Sequence, residues 1–420
     1  MMTTPSPSSL PRRRFLHLAG GTAGALALGA CSWNEAVRES VAASTTTVPA
    51  TTTAPPLTAT GRPLLVVVNL GGGNDGLNTF VPEGGRYRDL RPAIGVAEDE
   101  LLETGAGLGL HPALEPIHHY WASGKMAIVH GLGLPDQTRS HFTATDVWFA
   151  GQPDIVPNGW LGRWLDLHPR AGTDPLLAVA LGGGRSAVTG DTASSTVIAR
   201  PDQFLLQATP GMNADALADV LLETAAPATG DTDAMRLVRQ GIPRAVNAVQ
   251  ILDEIGDDDA VASLGADSAS GLLAVASRIV QLNLSTEVIM VDVGGYDTHA
   301  NQVDTHAELL SDLATGIDGF FTELTDAQVD RNVLLMTTSE FGRRAEDNGS
   351  GTDHGTANSH LLIGSSVAGG RYGSNGLDNL TDGDLPIAID TRSHYATALH
   401  HLGAEAGDVL SGPWEDLGII

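Results

Sequence analysis

The chain has 420 residues, 42% of them apolar, and carries 23 Lys+Arg against 50 Asp+Glu. That apolar share excludes a disordered chain, and a net charge of −27 excludes a nucleic-acid binder, whose phosphate contacts need clustered Lys and Arg. A single Cys excludes a disulfide framework and a Cys-cluster metal site, while 50 Gly and 5% aromatic residues suit a loop-rich α/β scaffold better than a coiled coil or β-sandwich.

Residues 1–31 read as an address. Arg12-Arg13-Arg14-Phe15-Leu16-His17 precedes an uncharged apolar stretch from Leu18 to Ala30, shorter than the roughly 20 residues needed to span a bilayer. Twin Arg followed by Phe-Leu resembles the twin-arginine export signal, whose machinery carries folded proteins. Leu28-Gly29-Ala30-Cys31 puts the only cysteine where a lipoprotein box has its lipidated residue; ordinary cleavage near Ala30 is the alternative. Residues 32–62, with Ser44-Thr45-Thr46-Thr47 and Thr51-Thr52-Thr53-Ala54-Pro55-Pro56, predict a flexible tether. The expected location is the outer face of the cytoplasmic membrane, lipid-anchored at Cys31, or the periplasmic or extracellular space. Membrane contact is then through the signal or lipid alone.

The remainder, 63–420, predicts one large α/β domain. Leu64 to Leu70 is a continuous apolar, β-branched run, the mark of a strand buried on both faces. Similar runs are Met126–Val129, Leu176–Ala180, Val288–Val291 and Val333–Met336. Helical patterns lie between them: Phe142–Phe149, Ala214–Thr224, Ala234–Ile255, Ser270–Leu284 and, most clearly, Val303–Leu324. Strands alternating with helices predict a mainly parallel sheet with helices on both faces, and 212–284 reads as a helical insertion.

In such sheets, sites form outside the carboxyl ends of the strands, and polar residues gather there. Gly71-Gly72-Gly73-Asn74-Asp75-Gly76 follows the first run. Arg139-Ser140-His141-Phe142 follows the second, Gly294-Gly295-Tyr296-Asp297-Thr298-His299 the fourth, and Thr338-Ser339-Glu340-Phe341-Gly342-Arg343 the last. Asp353-His354-Gly355 and His360 come further on. Gly71-x-Gly73-x-x-Gly76 matches the dinucleotide fingerprint, but Pro82 and Gly84-Gly85 deny it the helix whose N-terminus would meet a pyrophosphate. Asp75 then reads equally as a metal ligand on a tight turn and as a cap for that turn. Asp297 and His299, two apart on a loop, allow a carboxylate and an imidazole to approach one divalent ion such as zinc. His306 repeats the spacing on a helix's apolar stripe, where a core role is expected. Ser140 stands where a helix N-cap belongs, beside Arg139, which has the fork to clamp an anion. No Gly-x-Ser-x-Gly elbow exists in the chain.

The blocks Gly72–Thr79, Arg139–Phe142, Gly294–His299 and Thr338–Arg343 resemble the signature blocks of the bacterial family known as domain of unknown function 1501, exported by twin-arginine signals and grouped with the alkaline phosphatase/sulfatase superfamily. The resemblance runs from about Leu64 to about Gly403. It implies a parallel sheet flanked by helices and a two-metal site at the strand ends. Carried over, it puts the early metal-binding Asp on Asp75, the nucleophile on Ser140, the Asp-with-His block on Asp297 and His299, and the late His on His354 or His360. Glu340 and Asp353 join the candidate ligands, and Arg139 and His141 the catalytic ones. One departure stands out: Phe341 lies where the superfamily has a metal-binding His.

Two functions follow as expectations. One is a metal-dependent hydrolase of phosphate or sulfate esters, using one or two divalent ions (zinc or similar), acting on a small anionic ester. The other is a catalytically inert cell-envelope binding protein on the same fold, favoured by Phe341. Neither involves nucleic acid.

Overall fold

Unbroken apolar runs are stable only where both faces of a sheet are covered, and all five runs lie in or beside such a sheet. The computed structural model of the chain describes residues 61–420 apart from 172–173, 175, 194, 200–212, 257–266, 283–284 and 330. The segment expected to be an export signal, Cys31 and nearly all of the expected tether lie outside the described residues.

The strands are β1 (Pro63–Leu70), β2 (Phe80–Pro82), β3 (Leu102–Glu103), β4 (Leu108–Leu110), β5 (Met126–Gly133), β6 (Ala178–Gly182), β7 (Thr196–Ile198), β8 (Val288–Val293), β9 (Asn332–Thr338), β10 (Asn358–Gly364), β11 (Gly370–Gly373) and β12 (Ile389–Asp390). The helices are α1 (Gly76–Thr79), α2 (Gly85–Leu90), α3 (Glu115–Ala122), α4 (His141–Ala150), α5 (Trp160–Leu167), α6 (Ala214–Thr224), α7 (Asp233–Gly256), α8 (Ala269–Gln281), α9 (Gln302–Asp326), α10 (Thr391–His401) and α11 (Ala406–Val409). Among the described residues the main sheet runs β11-β5-β10-β9-β1-β8-β6-β7, with β12 also on β5, and β2, β4 and β3 form a small second sheet.

The main sheet is mainly parallel, as expected. β1 is parallel to β8 and β9, with Asn69 opposite both Asp292 and Thr338. Only β10 is reversed, antiparallel to β5 and β9 alike, so β5 runs in the direction of β1. The carboxyl ends of β1, β5, β8 and β9 therefore share one edge, and four loops rise from it.

Alternation along β1 divides the core. Leu64, Val66 and Val68 face one layer with α8 and α9; Leu65 and Val67 face the other with α4, α5 and α10. On α9 the stripe Leu310, Leu313, Ile317, Phe320 and Leu324 is buried, each side chain contributing roughly 1.5–3 kcal/mol. Within the segment read as an insertion, α6 packs on α7, whereas Leu272, Leu273, Ala276 and Ile279 of α8 belong to the first layer. Sequence patterns did not mark α2, α3, α5, α10 or α11, nor the short strands β2, β3, β4, β7, β11 and β12. β6 begins two residues later than the Leu176 run, and β10 was not foreseen because its first half, Asn358-Ser359-His360, reads as polar although all three are buried. No helix among the described residues is long and apolar enough to cross a membrane.

Candidate metal centre

Four side chains from three loops meet at the shared edge. His141 opens α4 beyond β5, Asp297 and His299 follow β8, and His354 lies on the long loop after β9. Asp297 Oδ1 is 3.1 Å from His299 Nε2, 3.1 Å from His354 Nε2 and 3.4 Å from His141 Nε2. The Nε2 atoms of His299 and His354 are 3.0 Å apart. Ligand atoms around a tetrahedral zinc at about 2.0–2.1 Å would be separated by roughly 3.3–3.4 Å, so the spacing fits a divalent cation of that kind.

The outer nitrogens explain why the inner ones converge. His141 Nδ1 donates to Glu340 Oε1 (2.6 Å), His354 Nδ1 to the Arg139 carbonyl (2.8 Å) and His299 Nδ1 to Asp353 Oδ1 (3.3 Å). Carbonyls and carboxylates only accept, so each ring carries a hydrogen at Nδ1; a neutral ring then presents a lone pair at Nε2, and a proton on His354 Nε2 would be donated to Asp297 Oδ1 (3.1 Å). Such lone pairs facing a carboxylate oxygen repel one another unless a cation or proton lies between them. Among the described residues His141 Nε2 is buried and has no hydrogen-bond partner, which leaves it free to ligate an ion. Partial burial works against ionisation of Asp297, but Arg343 and His354 prevail and hold its carboxyl down to about 2. It is an anion at neutral pH.

Beneath the cluster the packing is fixed. The Phe341 ring lies 4.9 Å from that of His141 and 4.7 Å from that of His354, centroid to centroid. Buried Arg343 ties the first loop to the others, donating to the carbonyls of Gly73, Gly72, Thr352 and Tyr296 and to Asp297 Oδ1 (2.7 Å). Two glycines of the first loop serve this closure. A Cβ on Gly72 (φ +119°) would come within 2.4 Å of the Asp297 nitrogen, and one on Gly73 (φ +71°) within 2.5 Å of the Phe341 ring.

Other candidates stand elsewhere. Glu340 and Asp353 are one step back, each holding a histidine; Glu340 Oε1 also accepts from the Gly72 N–H (2.9 Å). Asp75 does not join the cluster. A single helical turn, α1, does follow the glycine loop, and Asp75 caps it, accepting from Leu77 N and Asn78 N. Its Oδ2 accepts from Arg91 Nη1 and Gln302 Nε2, both at 2.5 Å. Burial opposes its ionisation, but Arg91 prevails and its carboxyl is lowered. A guanidinium thus stands where a cation ligated by Asp75 would sit, and the residues present do not fit a second metal there. His360 is also apart, fully buried on β10 and stacked on His394 at 6.0 Å. His306 Nε2 meets Asn74 Oδ1 (2.9 Å) in the core, as its place on the stripe suggested. Ser140 occupies the N-cap position of α4, but its exposed hydroxyl makes no capping bond. Among the described residues the compact ligand group is His141, Asp297 and His354, with His299 beside it.

Sequence reasoning gave His141 a catalytic part and missed Arg91 altogether. A buried arginine 16 residues from its partner leaves no local signal.

A model of the family described as Protein of unknown function (DUF1501) matches residues 121–413. No curated protein matches the chain. Solved structures similar to it include a lipoteichoic acid synthase from Listeria monocytogenes (8% identity, 87% of this chain and 78% of that one, TM-score 0.37). Another is a protein in the alkaline phosphatase superfamily from Vibrio parahaemolyticus (10%, 88% and 75%, TM-score 0.37). A third is a phosphonate monoester hydrolase from Silicibacter pomeroyi (11%, 85% and 76%, TM-score 0.35). Likeness of that order decides nothing about chemistry. The family match covers more than half of the sequence, including every block that builds the cluster except the first glycine loop, and the chain belongs to the DUF1501 family.

Proposed function

We propose that the protein is an exported, metal-dependent hydrolase of phosphate or sulfate esters, working from one divalent ion held by His141, Asp297, His299 and His354. The observation that carries this reading is the convergence of three imidazole Nε2 atoms on Asp297 Oδ1 while every Nδ1 is tied to an acceptor. A bound ion of the zinc type supplies Lewis-acid stabilisation of charge developing on the ester oxygens. The remaining work falls to the chain. Glu340 keeps the hydrogen of His141 on Nδ1, Arg139 orients the anion, and the free hydroxyl of Ser140, one residue from His141, is the nucleophile. Export through the twin-arginine machinery and anchoring at Cys31 rest on the order of residues 12–31.

Two features favour an inert binding protein instead: Phe341 fills the space beside His141 and His354, and Arg91 neutralises Asp75. Metal analysis with aryl phosphate and aryl sulfate assays separates the readings. The hydrolase reading requires about one tightly held ion per chain and turnover that Ser140→Ala abolishes. A tightly held ion without turnover would leave the binding protein, and turnover that survives Ser140→Ala would remove the serine from the mechanism. Mass spectrometry of the mature N-terminus tests the anchor: any first residue other than a modified Cys31 excludes it.

A further inference from the structure

Beside the cluster two arginines share one carboxylate. Arg139, two residues before His141, donates through Nη2 to Asp384 Oδ2, and Arg344, next to Arg343, places Nη1 3.3 Å from the same oxygen. Asp384 Oδ1 is buried and has no partner among the described residues. A carboxylate normally receives a guanidinium through both oxygens. Here two forks crowd one oxygen and leave the other empty. The donors are correspondingly underused: among the described residues Arg139 makes a single side-chain hydrogen bond, and Arg344 adds only one to the Asp382 carbonyl (2.5 Å). Both arginines reach solvent, with side chains 43% and 31% exposed, whereas Asp384 is 6% exposed.

The carboxylate is also presented from a short, separate turn. Thr381 and Asp384 exchange backbone hydrogen bonds of 3.0 and 2.9 Å across Asp382 (φ +51°) and Gly383 (φ +82°), a two-residue turn with both central residues left-handed. Both arginines are anchored by their backbones to the cluster. The Arg139 carbonyl accepts from His354 Nδ1, and the Arg344 N–H donates to the Asp353 carbonyl (3.0 Å).

We infer that Arg139 and Arg344 form an oxyanion subsite at the lip of the metal centre, filled in the resting protein by the Asp384 carboxylate, and that a tetrahedral sulfate or phosphate group displaces it. Three or four oxygens satisfy two guanidinium forks that a half-used carboxylate does not. The inference deepens the hydrolase reading by assigning a place to the substrate's anionic group, and it adds Arg344 and Asp384 to the residues that set affinity.

The test is calorimetric titration of the full chain, zinc-loaded, with sodium sulfate at fixed ionic strength in chloride. Asp384→Asn removes the competing charge, and its sulfate affinity should rise about tenfold over the native protein. Adding Arg344→Gln should erase that gain. An Asp384→Asn protein with native circular dichroism and unchanged sulfate affinity overturns the subsite. Should that variant not fold, Arg344→Gln alone decides: a fall of fivefold or more in sulfate affinity supports the subsite, and no change refutes it. The two readings fail separately. Gain of sulfate affinity without ester turnover leaves the subsite and removes the hydrolase; turnover without the gain does the reverse.

Discussion

Burial lowers seven histidines of this fold, His168 and His401 among them, and the five shifted furthest should make it acid-labile in a measurable way. Burial pushes His111, His306 and His394 down to about 4 and His130 to about 3, and holds His360 well below its ordinary value. In the unfolded chain each titrates near 6.5. Below that value the unfolded state takes up protons that the native state refuses, so stability is intact above pH 6.5 and is lost as pH falls toward 4. Each ring costs about 1.4 kcal/mol per pH unit over most of that window, and about 2 kcal/mol in total by pH 5. Over five rings the loss is about 10 kcal/mol, comparable to the whole stability of a typical protein. Asp292 and Asp384, raised by burial, retain protons in the native state and offset part of this at the acid end. Denaturant titrations at pH 7.0, 6.5, 6.0 and 5.5, with chelator present, give the number of protons from the slope of stability against pH. A mean of about three is expected over that range, rising to between four and five at pH 5.5, and about one fewer at pH 5.5 in His130→Asn. A mean slope worth fewer than two protons would refute the reasoning.

Glu340→Gln should leave the fold intact and weaken zinc binding by about 10- to 100-fold, because the acceptor that fixes the His141 hydrogen is compromised; competition with a chelating dye measures it. Gly73→Ala should destabilise the protein by roughly 2–4 kcal/mol, combining a left-handed backbone with a Cβ driven into Phe341, and Phe341→Leu in the same chain should recover part of the loss in denaturant melts.

How much of this was legible in the sequence depends on where the polar atoms go. The runs at Leu64 and Val288 announce themselves because both faces of those strands are apolar. β10 hides, since Asn358 donates to the carbonyls of Asn74 and Phe341 and Ser359 meets the His130 ring, contacts that make polar side chains compatible with the core. In the site, loop composition was enough to gather Asp297, His299 and His354 at one sheet edge. It was not enough to sort roles. Whether an imidazole on such a loop faces solvent, an ion or the core depends on what takes its other nitrogen. For His141 that is Glu340, 199 residues away. Asp75 shows the same limit from the other side: its loop looked made for a ligand, and a distant guanidinium already meets it.

The polarity of β1 has a practical corollary. Its first residue, Pro63, lies at the edge opposite the cluster, where Arg331 donates to the carbonyls of Arg62 and Pro63. Eight extended residues span about 26 Å. The strand's first residue and the histidines thus lie on opposite rims of the sheet, and the cluster opens away from the side on which β1 begins.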